Sequence, residues 1–255
     1  MQGVLLGQTA LVTGAGRGMG KAIALALAAE GAVIAAAART REEIESVASS
    51  CGSASIAIQL DVTVEADCRA AIATVHRCLG HLDILVNNAG IAASAKFTDL
   101  DTATWRHIFA VDLDGPFFMT RAAIPSMVQQ GSGTVINIGS IASRYGGRYV
   151  AAYTAAKHGL LGLTRALAAE YASAGITFNC VCPAYTDTPM TDQTIQTIAD
   201  RTGGSRDESL KPLLTPQGRL VRPEEVAAVC ILLASNAGRG ITGQAINVDG
   251  GWIQS

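Results

Sequence analysis

The sequence predicts one α/β domain: a doubly wound, seven-stranded parallel sheet with helices on both faces. Three observations lead there. Short apolar runs alternate with longer amphipathic stretches along the 255 residues. Most of the runs are apolar at consecutive positions rather than at every second one, as strands buried on both faces require. A glycine-rich turn joins the first run to the first amphipathic stretch.

Strands are predicted at 9–13, 32–38, 55–60, 82–87, 134–139, 177–182 and 244–248, most of them bounded by Gly, Asp or Asn. Helices are predicted at 18–29, 42–50, 65–79, 103–129, 151–174 and 223–235. Pro223 suits a first helical turn, and Glu224 and Glu225 favour the dipole there. Strand and helix alternating in this way imply parallel strands joined by crossovers. No Pro/Ser-rich linker divides the chain, so residues 1–255 read as a single dinucleotide-binding domain. One stretch, 187–222, breaks the rhythm. It carries Gly203, Gly204, prolines and scattered apolar residues such as Ile195, Ile198 and Leu213. An irregular segment of this length is expected to be a lid or binding segment, or else a surface excursion.

Composition narrows the function classes. Hydrophobic residues at 49% and charged residues at 16% argue against disorder. A net charge of −2 offers no electrostatic footprint for nucleic acid. Residues 1–13 lack a basic segment followed by a long apolar run, so no signal peptide is expected. No apolar run approaches the roughly 20 residues a bilayer needs. A cytoplasmic protein is expected, with no membrane or nucleic-acid partner. Among the six cysteines, only Cys180 and Cys182 lie close together. They read as reduced core thiols, because no second Cys or His pair with zinc spacing accompanies them. His76, His81, His107 and His158 show no ligand spacing either, so no metal is expected.

The turn after the first strand reads Thr13-Gly14-Ala15-Gly16-Arg17-Gly18-Met19-Gly20. Its glycines permit a tight turn and let a pyrophosphate approach backbone N–H groups at a helix N-terminus. The second strand selects the cofactor. An NAD site usually ends this strand with an acid that grips ribose hydroxyls. Here residues 35–38 are uncharged and Arg39 follows. Arg39 and Arg17 suit bidentate grip of a 2′-phosphate, which favours NADP(H) over NAD(H); the alternative is two solvated arginines.

Tyr153 and Lys157 stand four apart on a helical stretch and share one face. At about 4 Å and an effective dielectric near 20, an ammonium attracts a phenolate by roughly 4 kcal/mol. That predicts a phenol pKa lowered by on the order of two to three units from about 10. Ser140 precedes them at the end of the fifth predicted strand, the sheet edge where ligands bind.

Over nearly its whole length the chain resembles the short-chain dehydrogenase/reductase family, a Rossmann fold. The resemblance rests on Thr13 to Gly20, Asn87-Asn88-Ala89-Gly90, Ser140, Tyr153-x-x-x-Lys157 and Pro183 to Thr188, in the family's order and spacing. It implies that Tyr153 donates or accepts the proton and that Ser140 steadies the substrate oxygen. It implies that Lys157 binds the nicotinamide ribose and lowers the Tyr153 pKa. Gly14, Gly16, Arg17, Gly18, Met19 and Gly20 form its pyrophosphate loop. Asp61 and Val62 match positions that contact the adenine. Asn88, Ala89 and Gly90 match the turn passing the adenosine ribose. Thr186 and Thr188, after Pro183, match positions that hold the carboxamide. It also implies a homotetramer assembled through the 103–129 and 151–174 helices.

Three departures stand out. Asp112 replaces the catalytic Asn of the family's Val-Asn-Leu-x-Gly run, and an ionised carboxylate cannot donate a hydrogen bond. Ala184 replaces the usual Gly after Pro183, which is expected to stiffen the turn. Gly16 stands where many members carry Ser, a change expected to be neutral. The expected activity is an NADP(H)-dependent interconversion of a secondary alcohol and a ketone. The loops and the Asn247-Val248-Asp249-Gly250-Gly251-Trp252 ending resemble members acting on 3-oxoacyl and 3-hydroxyacyl compounds. Asp112 gives weight to a second expectation, a dinucleotide-binding sensor or scaffold that has lost turnover.

Overall fold

The computed structural model describes residues 3–254. Strands β1 (Thr9–Thr13), β2 (Val33–Ala38), β3 (Ile56–Gln59), β4 (Ile84–Asn87), β5 (Gly133–Ile138), β6 (Ile176–Pro183) and β7 (Ala245–Val248) form one sheet. Its order is β3-β2-β1-β4-β5-β6-β7 and each neighbouring pair is parallel. The predicted strands are all present, most of them a residue or two shorter or longer at an end.

Helices cover both faces, and the alternation of side chains along each strand divides the core between them. On β1, Ala10 and Val12 pack with Ile23 and Leu27 of α1 (Gly18–Ala29). Ile44 of α2 (Arg41–Cys51) and Val226 of α9 (Pro223–Ala234) complete that layer. Leu11 points the other way, to Val75 of α3 (Glu65–Leu79) and Met119 of α5 (Gly115–Gln130). The long helix α6 (Ala151–Tyr171) lies on this second face and brings Ala168 into it. Leu160 of this helix is fully buried within the chain.

Two expectations are corrected. The predicted 103–129 helix is broken into α4 (Thr102–Phe109), a π-helical turn at Ala110–Asp114, and α5. Pro116 explains the break: its ring has no N–H for the Asp112 carbonyl and would clash with it in a continuous helix. The chain widens for one turn and carries the Asp112 side chain into the interior, fully buried. The 187–222 stretch is not irregular throughout. It folds into α7 (Pro189–Thr202) and α8 (Arg206–Leu210), followed by a 3₁₀ turn at Lys211–Leu213. Pro189 opens α7, and Gly203 closes it at φ +69°, the usual start and stop. Little of α7 is buried beyond Thr191 and Ile195, so it lacks a strong apolar stripe.

Candidate active site

The strand order reverses between β1 and β4. Loops leaving these two strands diverge, which opens a crevice at their carboxyl ends. The Thr13 hydroxyl stitches the two loops together there. It accepts the Asn88 and Ala89 amides at 3.0 and 3.1 Å and donates to the Val86 carbonyl at 3.4 Å, using its full bonding capacity. Asn88 returns the contact: its Nδ2 donates to the Thr13 and Gly14 carbonyls at 2.9 and 3.2 Å.

The glycine loop is packed too closely for side chains at two points. Gly14 takes φ +64°. A Cβ on Gly20 would stand 2.2 Å from the Gly14 carbonyl oxygen and 2.4 Å from Asn88 Nδ2. Gly16 faces the Glu43 side chain, and Gly18 faces Thr188, whose Cβ lies 3.5 Å from a Cβ built there. Met19 is half-buried against the apolar core. Arg17 is exposed and occupies the N-cap of α1 without a side-chain bond to the helix. The first turn of α1 also holds no acid. Its N–H groups therefore face the crevice with neither a cap nor a carboxylate against them.

The rim of the crevice carries the other sequence-predicted residues. Arg39 is exposed after β2 and acts on Asp61 beyond β3. Burial pushes the Asp61 carboxyl up, but the Thr63 amide and hydroxyl, Arg39 and His107 outweigh it and hold the pKa below the usual value. Val62, beside Asp61, is buried. After Pro183, Ala184 is buried without a positive φ, so the missing glycine imposes no strain. The Thr186 hydroxyl donates to the Ala184 carbonyl at 3.0 Å, and that of Thr188 to the Thr186 carbonyl at 3.2 Å.

Ser140, Tyr153, Lys157 and Asp112 converge where β5 ends. Ser140 caps a short 3₁₀ turn, accepting the Ala142 amide at 3.1 Å and donating its own amide to Ser143 Oγ at 3.2 Å. Its hydroxyl hydrogen is left to reach the Tyr153 phenol, which that interaction makes more acidic. One turn along α6, Lys157 is buried, with Nζ 5.6 Å from the centre of the Tyr153 ring. Nζ donates to the Ile138 carbonyl at 3.0 Å and lies 3.0 Å from Asp112 Oδ1. Burial pulls the Lys157 pKa down, but Asp112 and Tyr153 outweigh it and lift it to about 12. Burial pushes the Asp112 carboxyl up, against the pull of Lys157 and the Ile91 amide.

The expected acidic phenol is corrected. Burial holds the Tyr153 pKa above its ordinary value; Lys157 pulls it down and Asp112 pushes it up. The Lys157 ammonium does not act on the phenol alone: its charge is shared with the Asp112 carboxylate 3.0 Å away.

A family model described as enoyl-(acyl carrier protein) reductase matches residues 14–253. The chain belongs to the short-chain dehydrogenase/reductase family, and it is an oxidoreductase. Among members of this family, D-β-hydroxybutyrate dehydrogenase of Cupriavidus necator is 37% identical over 68% of this chain and 69% of its own. A Xanthobacter autotrophicus protein named inactive 2-(S)-hydroxypropyl-CoM dehydrogenase 2 is 38% identical over 81% of this chain and 89% of its own. The crystal structure of an actinorhodin polyketide ketoreductase variant with NADPH superposes with a TM-score of 0.93 at 33% identity, covering 99% of both chains.

Several features of this short-chain dehydrogenase/reductase site were missed in the sequence. The stitching role of Thr13 and the Ile138 carbonyl under Lys157 leave no sequence signal. Tyr149 takes φ +66°, unusual for a residue other than glycine, and its carbonyl accepts the Ala95 amide at 2.9 Å. Arg201 of α7 donates to Ser94 Oγ at 3.0 Å and to the Ser94 carbonyl at 2.8 Å. These bonds tie α7 to the loop after β4 and that loop to the one before α6.

Proposed function

We propose that the protein interconverts a ketone and a secondary alcohol with NADP(H). The observation that carries this reading is the meeting of Ser140 and Tyr153 over buried Lys157 at the carboxyl edge of the sheet. The cofactor fits the residues present. The pyrophosphate would lie on the loop Gly14 to Gly20, where no Cβ is tolerated at Gly20. Arg17 and Arg39 would hold the 2′-phosphate, Asp61 and Val62 the adenine, and Asn88 to Gly90 the adenosine ribose. Lys157 would hold the nicotinamide ribose, and Thr186 and Thr188 the carboxamide. When bound, NADPH supplies the hydride.

The chain's own residues handle the oxygen and its proton. The Ser140 hydroxyl, which accepts the Ala142 amide, would turn its one hydrogen from the Tyr153 phenol to a bound carbonyl oxygen. The phenol of Tyr153, held protonated by burial, gives its proton to that oxygen as it becomes an alkoxide. In the reverse direction the phenolate takes the proton back. Lys157, charged at neutral pH, moderates the cost of forming that phenolate.

The similarity to a hydroxybutyrate dehydrogenase and a polyketide ketoreductase supports a 3-oxoacyl or 3-hydroxyacyl substrate. Tyr185 stands near both Tyr153 and Tyr145, and these rings would line an aromatic-sided pocket. A cytoplasmic homotetramer belongs to the same reading; Phe117 of α5 and Gly162 of α6 are exposed where the helices would meet a second copy. No described helix is long and apolar enough to cross a membrane.

Assay of 3-oxoacyl thioesters, simple ketones and secondary alcohols with both cofactors tests the proposal. Turnover of at least one class is expected, with NADP(H) preferred about tenfold or more over NAD(H), the discrimination one charge-assisted contact affords. Preference for NAD(H) would overturn the role given to Arg39. Binding of NADPH with no turnover of any compound would favour the second reading, a dinucleotide-binding protein without catalysis. That reading draws on Asp112 and on similarity to an inactive relative.

Segment 187–222 is assigned as the lid, latched by Arg201 on Ser94. Arg201→Ala is expected to raise KM for the ketone roughly threefold to tenfold, since it removes two exposed hydrogen bonds worth about 1 kcal/mol together. The expected change in kcat is smaller. Unchanged KM would remove the latch from the account.

A further inference from the structure

The proposed reaction leaves one buried charge unused. Asp112 is fully buried, with Oδ1 3.0 Å from Lys157 Nζ. Its Oδ2 accepts the Ile91 amide at 3.2 Å. The groups at both oxygens are donors, which suits an ionised carboxylate. Backbone closes the pair on one side: a Cβ on Gly90 would lie 2.8 Å from Asp112 Oδ1 and 3.5 Å from Lys157 Nζ. The widened turn forced by Pro116 brings the carboxylate to this depth.

The consequence follows from charge. Lys157 is the cation nearest the Tyr153 phenol. A neutral side chain at position 112 would let its whole charge act on the phenol. A carboxylate at 3.0 Å cancels much of it in a site screened little by water. We propose that Asp112 is a positioning residue that acts through Lys157, tuning the site to give a proton to a ketone rather than take one from an alcohol. This rests on the ketone–alcohol reading above.

Other titratable or hydrogen-bonding groups face the trio. They are His107 on α4, Cys180 and Cys182 on β6, Ser140 after β5 and Tyr185 after β6. The hydrogen bond with Cys182, together with burial, keeps the Cys180 thiol well above its ordinary pKa, while Cys180 lowers that of Cys182. These groups stay in place when residue 112 is changed, so they do not create the difference the test reads. The directions at the phenol agree with the geometry: Lys157 pulls its pKa down and Asp112 pushes it up.

The test removes the charge in two ways. Asp112→Asn keeps the shape, and Asp112→Ser avoids setting an amide donor against the Lys157 ammonium. Ultraviolet phenolate titration, taken as the difference from the same protein carrying Tyr153→Phe, isolates Tyr153 with neither substrate nor cofactor present. Loss of the negative charge favours the phenolate, so the midpoint is expected to fall by on the order of one pH unit in both variants. The alkaline limb of ketone reduction should fall with it, and alcohol oxidation at neutral pH should rise up to about tenfold, with KM little changed. In a Lys157→Met background burial, no longer opposed by the ammonium, favours the protonated Asp112 carboxyl, so the Asp112→Asn shift should shrink by half or more. An unmoved midpoint in a folded variant overturns the proposal. A shift undiminished without Lys157 also overturns it, since Asp112 would then hold its charge independently of the ammonium. A shifted midpoint in a protein that turns over none of the panel supports the charge role and sinks the reaction reading alone.

Discussion

Tyr153→Phe is expected to lower kcat for ketone reduction by about 10²- to 10⁴-fold, the range a positioned general acid contributes. The substitution removes one hydroxyl from a half-buried ring at the crevice and leaves the ring's packing against Ile108, Ala152 and Ala156 in place. Fold and NADPH affinity should therefore stay near the parent's, and the loss should appear in kcat rather than KM. Ser140 cannot take over as acid, because its ordinary hydroxyl is far too weak. Lys157 holds its proton to about pH 12 and is bonded to the Ile138 carbonyl beneath the site. Steady-state kinetics with a melting curve check the expectation. A loss below about tenfold in a folded variant would remove Tyr153 from the chemistry.

The sequence made the sheet legible because each strand is buried on both faces. The Leu11 side chain serves one layer and those of Ala10 and Val12 the other, so the middle of β1 must be apolar at consecutive positions. The four-residue spacing of Tyr153 and Lys157 made their shared face legible in the same way. Contacts made across the fold were not legible. Asp112 was visible as a departure, but its pairing with Lys157 depends on a wide turn between α4 and α5. Pro116 was a signal for that turn, since a proline four residues on disrupts the bond to the Asp112 carbonyl. The phenol's raised pKa followed from burial and from a second charge, neither of which residue spacing reveals. Helix α7 was hidden by its exposure, although Pro189 and Gly203 mark both of its ends.

Gly20→Ala should be the most damaging single methyl in the glycine loop. Its Cβ would stand 2.2 Å from the Gly14 oxygen, 2.8 Å from the Gly14 carbonyl carbon and 2.4 Å from Asn88 Nδ2. None of these can yield alone. Asn88 is bonded to the Thr13 and Gly14 carbonyls, and Thr13 is bonded in turn to the Asn88 and Ala89 amides. The loop must shift away from the first turn of α1, and overpacking of this kind costs about 1–3 kcal/mol. If the shift falls on the bound state, the NADPH Kd should rise about tenfold to a hundredfold; if it falls on the free protein, the melting temperature should drop. Gly16→Ala is the internal control. Its Cβ would meet the Glu43 carboxylate at 2.6 Å and Glu43 Cβ at 2.9 Å, so relief takes a rotation of that carboxylate and a shift of a few tenths of an ångström at the start of α2, and leaves the Gly14 and Asn88 contacts in place. It should bind NADPH nearly as well as the parent in a fluorescence titration. Equal binding by all three proteins would mean that close backbone packing at Gly20 is not what shapes the pyrophosphate site.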